Sequence, residues 1–162
     1  MVWVCRAGVN SVYLNTFLSK HKVFLPWDGF KVDLRLYTDR DQMKKLVREE
    51  KGDVARTSIS NWSGQLYSFC WEMKDGDYVL IPHKGSRSFT FGELTGDYAF
   101  CINDENALWH SREIRILVTD IPREIFSQSL QYSLGAYRTI FKVRDEEELL
   151  ATITRYRKQK KV

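Results

Sequence analysis

The chain has 162 residues, enough for one domain that buries about 70% of the surface exposed when unfolded, so it can fold without disulfide or metal staples. Its three cysteines, Cys5, Cys70 and Cys101, lie far apart in apolar stretches, where thiols act as small hydrophobes, and no apolar run or leader-like start suggests membrane insertion or export; a reducing cytoplasm is the expected setting. The net charge of +4 is concentrated in Arg155, Arg157, Lys158, Lys160 and Lys161, so the rest of the chain is near neutral and a polyanion site must be a local patch; the tail itself also suits a helix end.

Trp3 to Arg6 reads as a first strand closed by Ala7-Gly8, after which Ser11 caps a short helix with Leu14, Phe17 and Leu18 inward. Val23 to Trp27 reads as a second strand, and Asp28 to Tyr37 as irregular. Asp39 with Gln42 makes a capping-box pattern for a helix carrying Met43, Leu46 and Val47, which Gly52 ends. The strongest helical pattern follows, with Ser58 or Ser60 as cap, Trp62, Leu66, Phe69, Cys70 and Met73 on one face, and Gly76 just past its end.

The chain is organised around Asp77 to Phe100, a meander of alternating strands. Val79 and Ile81 alternate with Tyr78 and Leu80, HKGSR supplies a turn, and Phe89 and Phe91 continue a period of two. This predicts a hairpin with at least one buried face, a bulge or close backbone approach at Gly92, and a third strand starting near Tyr98. Arg112 to Val118 is a further strand, Asp120 opens a short helical turn before Pro122, and FSQSLQYSLGAYRT is polar and interrupted by glycine. Thr139 to Val143 suits a last strand, and Asp145 with Glu148 caps a terminal helix with Leu149, Leu150, Ile153 and Tyr156 on one face. The expected fold is α+β: a curved, mostly antiparallel β-barrel flanked by helices near 11–19, 40–51, 60–74 and 146–158. It forms one domain over 1–154, followed over 155–162 by a basic tail or the start of a linker.

Catalytic and metal signatures are weak. His21, His83 and His110 have no zinc-ligand spacing and read as surface residues; P-loop, nucleophile-elbow and magnesium-nuclease patterns are missing. No metal, cofactor or catalytic residue is expected. The aromatic content says more, at 14% with five tryptophans. Trp3 and Trp62 read as core, Trp109 as an exposed flank, and Trp27 as a residue at a barrel mouth, where core and ligand-contact roles are both open.

Six blocks in order, W-V-C-R-A-G, F-L-P-W-D, N-W-S-G-Q-L-Y-S-F, K-D-G-D-Y-V-L-I-P-H-K-G-S-R, F-G-E-L-T-G-D-Y and F-S-Q-S-L-Q-Y-S-L-G-A, resemble the N-terminal module of Mrr-like prokaryotic restriction proteins across residues 2–143. The wider similarity is to PUA-like barrels, which include the EVE, YTH and SRA readers of modified bases. The resemblance implies a PUA-like DNA-binding module for modification-dependent restriction or antiphage defence, which accepts a flipped modified base and delivers a separate nuclease domain or subunit. Flipping costs a few kcal/mol and an aromatic wall returns about 1–3 kcal/mol, so pocket fit and phosphate contacts supply the remainder.

In YTH-type readers an aromatic after the second strand forms a cage wall, and Trp27 matches it by place, with Asp28 beside it. The second wall is a tryptophan on a later strand where this chain has Leu117; Tyr98 or Trp109 could contribute instead. Arg6, Lys84, Ser86 and Arg87 are candidates for the nucleic-acid backbone, and Asn61, Ser63 and Gln65 are either pocket donors or ordinary helix polar groups. Three other readings stay open: an RNA-binding PUA-like module, a small nuclease or toxin-like enzyme using His83 and Lys84, and a protein-interaction module.

Overall fold

The computed structural model describes residues 1–103 and 105–160; Lys161 and Val162 of the basic tail lie outside the described residues. Strands β1 (Val2–Cys5), β2 (Lys22–Phe24), β3 (Tyr78–His83), β4 (Ser88–Leu94), β6 (His110–Pro122) and β7 (Ile140–Lys142) form a sheet in the order β2-β6-β4-β3-β1-β7, with β5 (Ala99–Phe100) also on β6. The β1–β3 pair is parallel, and the other pairings among the described residues are antiparallel. With helices α1 (Leu14–Lys20), α2 (Arg40–Lys51), α3 (Arg56–Tyr67), α4 (Gln128–Leu134) and α5 (Glu146–Lys160), the fold is the expected α+β one, with the sheet curled into a half-barrel.

The curl has identifiable causes. Strand β6 pairs through its first residues with β2 and β5, and through Ile114 to Pro122 with β4, so one strand belongs to two parts of the sheet. The β4–β6 register shifts on either side of Phe91, and bulges of this kind bend a strand and raise its twist. Gly92 sits at the shift because a Cβ there would lie 2.9 Å from the Arg115 carbonyl oxygen. Both the bulge and the close approach expected from the sequence therefore occur at one residue.

Alternation along β1 and β3 divides the core in two. Trp3, Cys5, Val79 and Ile81 join Phe17, Met43, Leu46, Ile59 and Leu66 under α1 to α3; Val2, Val4 and Leu80 join Phe89, Phe91, Leu130, Leu149 and Ile153 under α4 and α5. The central hairpin is thus buried on both faces, which explains why its strands are almost continuously apolar. No helix among the described residues is long and apolar enough to cross a membrane.

Several local expectations are corrected. Ser11 does not cap α1: its hydroxyl donates to Pro82 O at 3.2 Å and accepts from Lys84 N at 3.0 Å, tying two loops together. Helix α3 starts after Ala55, a turn before Ser58 and Ser60 could cap it, and the added turn brings Ile59 into the core. Strand β2 stops at Phe24, so Trp27 stands beyond the strand and after Pro26. Asp120 remains in β6 with a left-handed φ of 54°, and the helical turn begins after Pro122. The polar segment after it holds α4, capped by Ser127, because Leu130 and Leu134 meet the second core one turn apart. His83 and His110 are buried instead of exposed, and Cys101 is exposed instead of packed.

The Asp39 cap is as expected: Gln42 N donates to its carboxylate at 2.8 Å, while the Gln42 side chain reaches back to Thr38 N at 2.7 Å. In α5 acids occupy the first turn and bases the last, as the macrodipole favours.

Candidate functional site

A cleft of about 600 Å³ opens where the ends of β1, β3 and β6 meet the loop before β7. That volume lies within the range of small-molecule sites, about 300–1,000 Å³. Each wall is a loop fixed to its neighbour. The Asn10-Ser11 turn is clipped to the β3–β4 hairpin by the Ser11 bonds and by Lys84 Nζ donating to Asn10 Oδ1 at 2.7 Å. On the opposite side, Arg6 N donates to Thr139 O at 2.9 Å and Arg6 Nη1 to Ala136 O at 3.2 Å, which holds the α4–β7 loop against the end of β1.

Trp27 lies in the lining, half-buried, with its ring tilted against Phe30 at 6.1 Å and its indole N–H donating to Thr139 Oγ1 at 3.0 Å. Behind Thr139, the buried Gln65 side-chain oxygen accepts from Thr139 N at 3.0 Å and Ile140 N at 2.9 Å. Gln65 is therefore not a pocket donor; it fixes the backbone that orients Trp27.

Five cations line the cleft: Arg6, Lys84, Arg87, Arg123 and Arg138. Among the described residues no Asp or Glu belongs to its lining, and none of the five is in an ion pair. Arg123 donates through Nη2 to Gln131 O at 3.3 Å, while its Nε is buried without a partner among the described residues. Arg87 closes the hairpin with φ of 51°, a conformation only a few per cent of non-glycine residues adopt. His83 also reaches the cleft; its Nε2 is 2.7 Å from Thr90 Oγ1, and burial pushes the imidazole below its ordinary value of 6.5 while Asp120 pulls the other way.

The structure brings together Trp27, Arg6, Lys84 and Arg87, and separates them from the other sequence candidates. Ser86 is exposed at the hairpin tip, with its hydroxyl on Ser88, which takes its place in the lining. Asp28 is exposed and outside the lining. Ser63 is buried and donates to Ser60 O at 3.2 Å, an ordinary helix back-bond, and Asn61 accepts from Gln65 Nε2 at 3.2 Å and lines a second groove instead of the cleft.

Tyr98 is core: its hydroxyl is 2.6 Å from His110 Nδ1 and accepts from Leu34 N at 3.1 Å, and burial raises its pKa. Leu117 packs against the α4–α5 core, and Trp109 donates to Asn103 O at 3.3 Å; neither reaches the cleft. The two-walled cage expected for Leu117 or Tyr98 is not assembled.

Sequence reasoning missed Arg123, Arg138, Thr139 and Tyr137. For the last three the usable signal was L-G-A-Y-R-T, where a glycine interrupts the helical pattern and an aromatic stands beside an arginine just before a strand; Arg123 lies outside it. The buried thiol of Cys5 is pushed up to about 12 by desolvation, which makes it inert as a nucleophile. Among the described residues no three His, Cys, Asp or Glu side chains are grouped so as to hold a metal ion.

Among curated proteins, none matches this chain. Residues 4–144 match a family described as a domain of unknown function, DUF8426, and the chain, with its half-barrel and its cationic cleft inside that span, belongs to this family.

Proposed function

We propose that this domain is a nucleic-acid-binding module that holds a modified, flipped base of DNA in the cleft beside Trp27, without catalytic activity of its own. The observation that carries the reading is the charge of the cleft: five cations gathered around an indole, with no carboxylate in the lining and no ion pair to any of them among the described residues. Like charges held together in one concave site repel one another, and a polyanion relieves that repulsion. The resemblance of its sequence blocks to the N-terminal module of Mrr-like restriction proteins, and through them to PUA-like readers, supports the same reading and implies a nuclease on a separate domain or subunit in the cytoplasm.

The enzyme reading is weakened by the engagement of its two named residues. His83 is buried against Thr90 and Lys84 is bonded to Asn10, so neither is poised on a free nucleophile. Binding of short DNA and RNA strands, each with and without a methylated or hydroxymethylated base, tests the proposal by fluorescence anisotropy at several salt concentrations. The expected result is a preference for a modified DNA strand that disappears in Trp27→Ala. Equal, weak binding to all strands, or cleavage lost in His83→Ala, overturns it.

A further inference from the structure

Beside the cleft, between α3 and the α4–β7 segment, runs a second groove of about 1390 Å³. Arg123, Leu134, Gly135, Tyr137 and Arg138 line both spaces, so the two are continuous. The groove adds the cations Arg40, Arg56, Lys142 and Arg144, against a single carboxylate, Glu72, which is already paired with Arg40 at 3.0 Å. Along α3 and just past its end, Ser60, Gly64 and Ser68 stand four residues apart in the wall, between the larger side chains of Arg56, Asn61 and Gln65, and a Cβ at Gly64 would lie 3.6 Å from Arg40 Nη1.

We infer that this groove is a second phosphodiester track, which takes the strand flanking the base held in the cleft; the inference rests on the proposed reading of that cleft. Two further observations favour a nucleic-acid strand over an acidic protein. Tyr132 and Tyr137, 89% and 99% exposed, line the groove, Tyr137 where it joins the cleft, and exposed rings serve as stacking platforms for bases. Arg6 lies over the Tyr137 ring at 5.9 Å, so the cation of the cleft and the platform at the junction form one surface. A mononucleotide fills the cleft alone, whereas a longer strand reaches the groove and meets its cations.

Arg56 and Arg144 are exposed, belong to the groove and not to the cleft, and are in no ion pair among the described residues, so their removal leaves the fold intact. The test compares the wild type with the double variant Arg56→Ala/Arg144→Ala on a trinucleotide and a twelve-nucleotide strand carrying the same modified base, as DNA and as RNA, with thermal melting as the folding control.

The variant is expected to bind the longer strand about tenfold more weakly at moderate salt, with the salt slope reduced by about 1.4, because two phosphates of a single strand are no longer neutralised. Its trinucleotide affinity and its modified-to-unmodified ratio should match the wild type. Unchanged affinity and slope on the longer strand, with wild-type discrimination intact, overturn the track and leave the cleft reading standing. Groove-dependent, salt-sensitive binding without any preference for the modified base sinks the cleft reading and keeps the track. Polyglutamate of equal charge bound as tightly as the twelve-nucleotide strand overturns the assignment to nucleic acid.

Discussion

Arg112 and Arg123 both sit among main-chain oxygens, and the protein treats them in opposite ways. Arg112, 2% exposed, donates through Nε to Gly96 O at 3.0 Å and through Nη1 to Phe69 O at 3.0 Å and Met73 O at 2.7 Å. These last two carbonyls belong to the π-helical turn Ser68–Glu72 that extends α3 and to the residue that follows it, so the guanidinium caps an irregular helix end from β6. Arg123, by contrast, has one bond at 3.3 Å and a buried Nε with no partner among the described residues, in a cleft with four more cations. Arg112 commits three N–H donors to its own fold and turns Nη2 toward Asp75 at 3.9 Å, so little of it is left for a ligand, whereas Arg123 commits one. The difference separates a structural pole of the molecule from the pole where binding is proposed.

The largest effect expected from this contrast is at the structural pole. Arg112→Ala takes the guanidinium from three buried or partly buried carbonyls and should lower stability by at least about 3 kcal/mol, because each orphaned acceptor costs about 1–3 kcal/mol. Urea unfolding measures it. The fraction that remains folded should bind nucleic acid as the wild type does. A variant that is fully stable but binds poorly would reverse the assignment of the two poles.

At the binding pole, Trp27→Ala should remove about 1–3 kcal/mol of discrimination between modified and unmodified strands, the contribution of one stacking aromatic. Melting temperature should fall much less than for Arg112→Ala, since Trp27 is half-buried and its indole N–H bonds only Thr139. A folded Trp27→Ala protein with full discrimination would take Trp27 out of the site. Gln65→Ala sharpens the point: it should weaken the same discrimination without touching the ligand, by releasing Thr139 and Ile140, and Gln65→Glu should restore part of it because a carboxylate still accepts both N–H groups.

How far the sequence exposed these two poles depended on whether chemistry was carried by periodicity or by contact. The central hairpin, the Gly92 bulge, the Asp39 cap and α5 were legible because each rests on local spacing or on one residue's steric need. Trp27, Arg6, Lys84 and Arg87 were legible as aromatic or cationic residues at loops or strand ends, and they do line one cleft, although the strand before Trp27 is shorter than its apolar run suggested. The roles of Tyr98, Gln65 and Arg112 were hidden, because each is defined by partners far away in sequence: His110 and Leu34, Thr139 and Ile140, Phe69 and Met73. The π-turn left no mark in the helical pattern, and the carbonyls of Phe69 within it and Met73 after it are met by Arg112 of β6, far away in sequence.

Smaller effects test the cations one at a time. Arg6→Ala should weaken binding to modified and unmodified strands alike and lower the salt slope by about one unit, the signature of a phosphate contact. Arg87 offers a cleaner separation, because its left-handed backbone disfavours any side chain with a Cβ by about 1–2 kcal/mol. Arg87→Gly should therefore leave stability unchanged or raise it by up to about 1 kcal/mol while reducing the salt slope. Stability lost together with binding would make Arg87 a structural residue and blur the contrast between the poles.

The smallest expected effect is in pH, and it distinguishes the two buried histidines. Burial holds both His83 and His110 below the ordinary value of 6.5, so the unfolded chain binds protons that the folded chain does not. Their neutral forms contribute stability that is fully present above pH 6.5 and is lost as pH falls from there through the folded values. His110 has both ring nitrogens engaged, by the Tyr98 hydroxyl at 2.6 Å and the Phe30 carbonyl at 2.8 Å, and its protonation strains a closed network. His83 has a partner at one nitrogen only and lines the cleft, where a phosphate would favour its charged form. Urea unfolding between about pH 7 and pH 5 should therefore show an acid-side loss of stability that nucleic acid reduces in the wild type and not in His83→Gln. A ligand that leaves the acid slope unchanged in both proteins would place His83 with His110, as a buried group of the scaffold and no part of the binding pole.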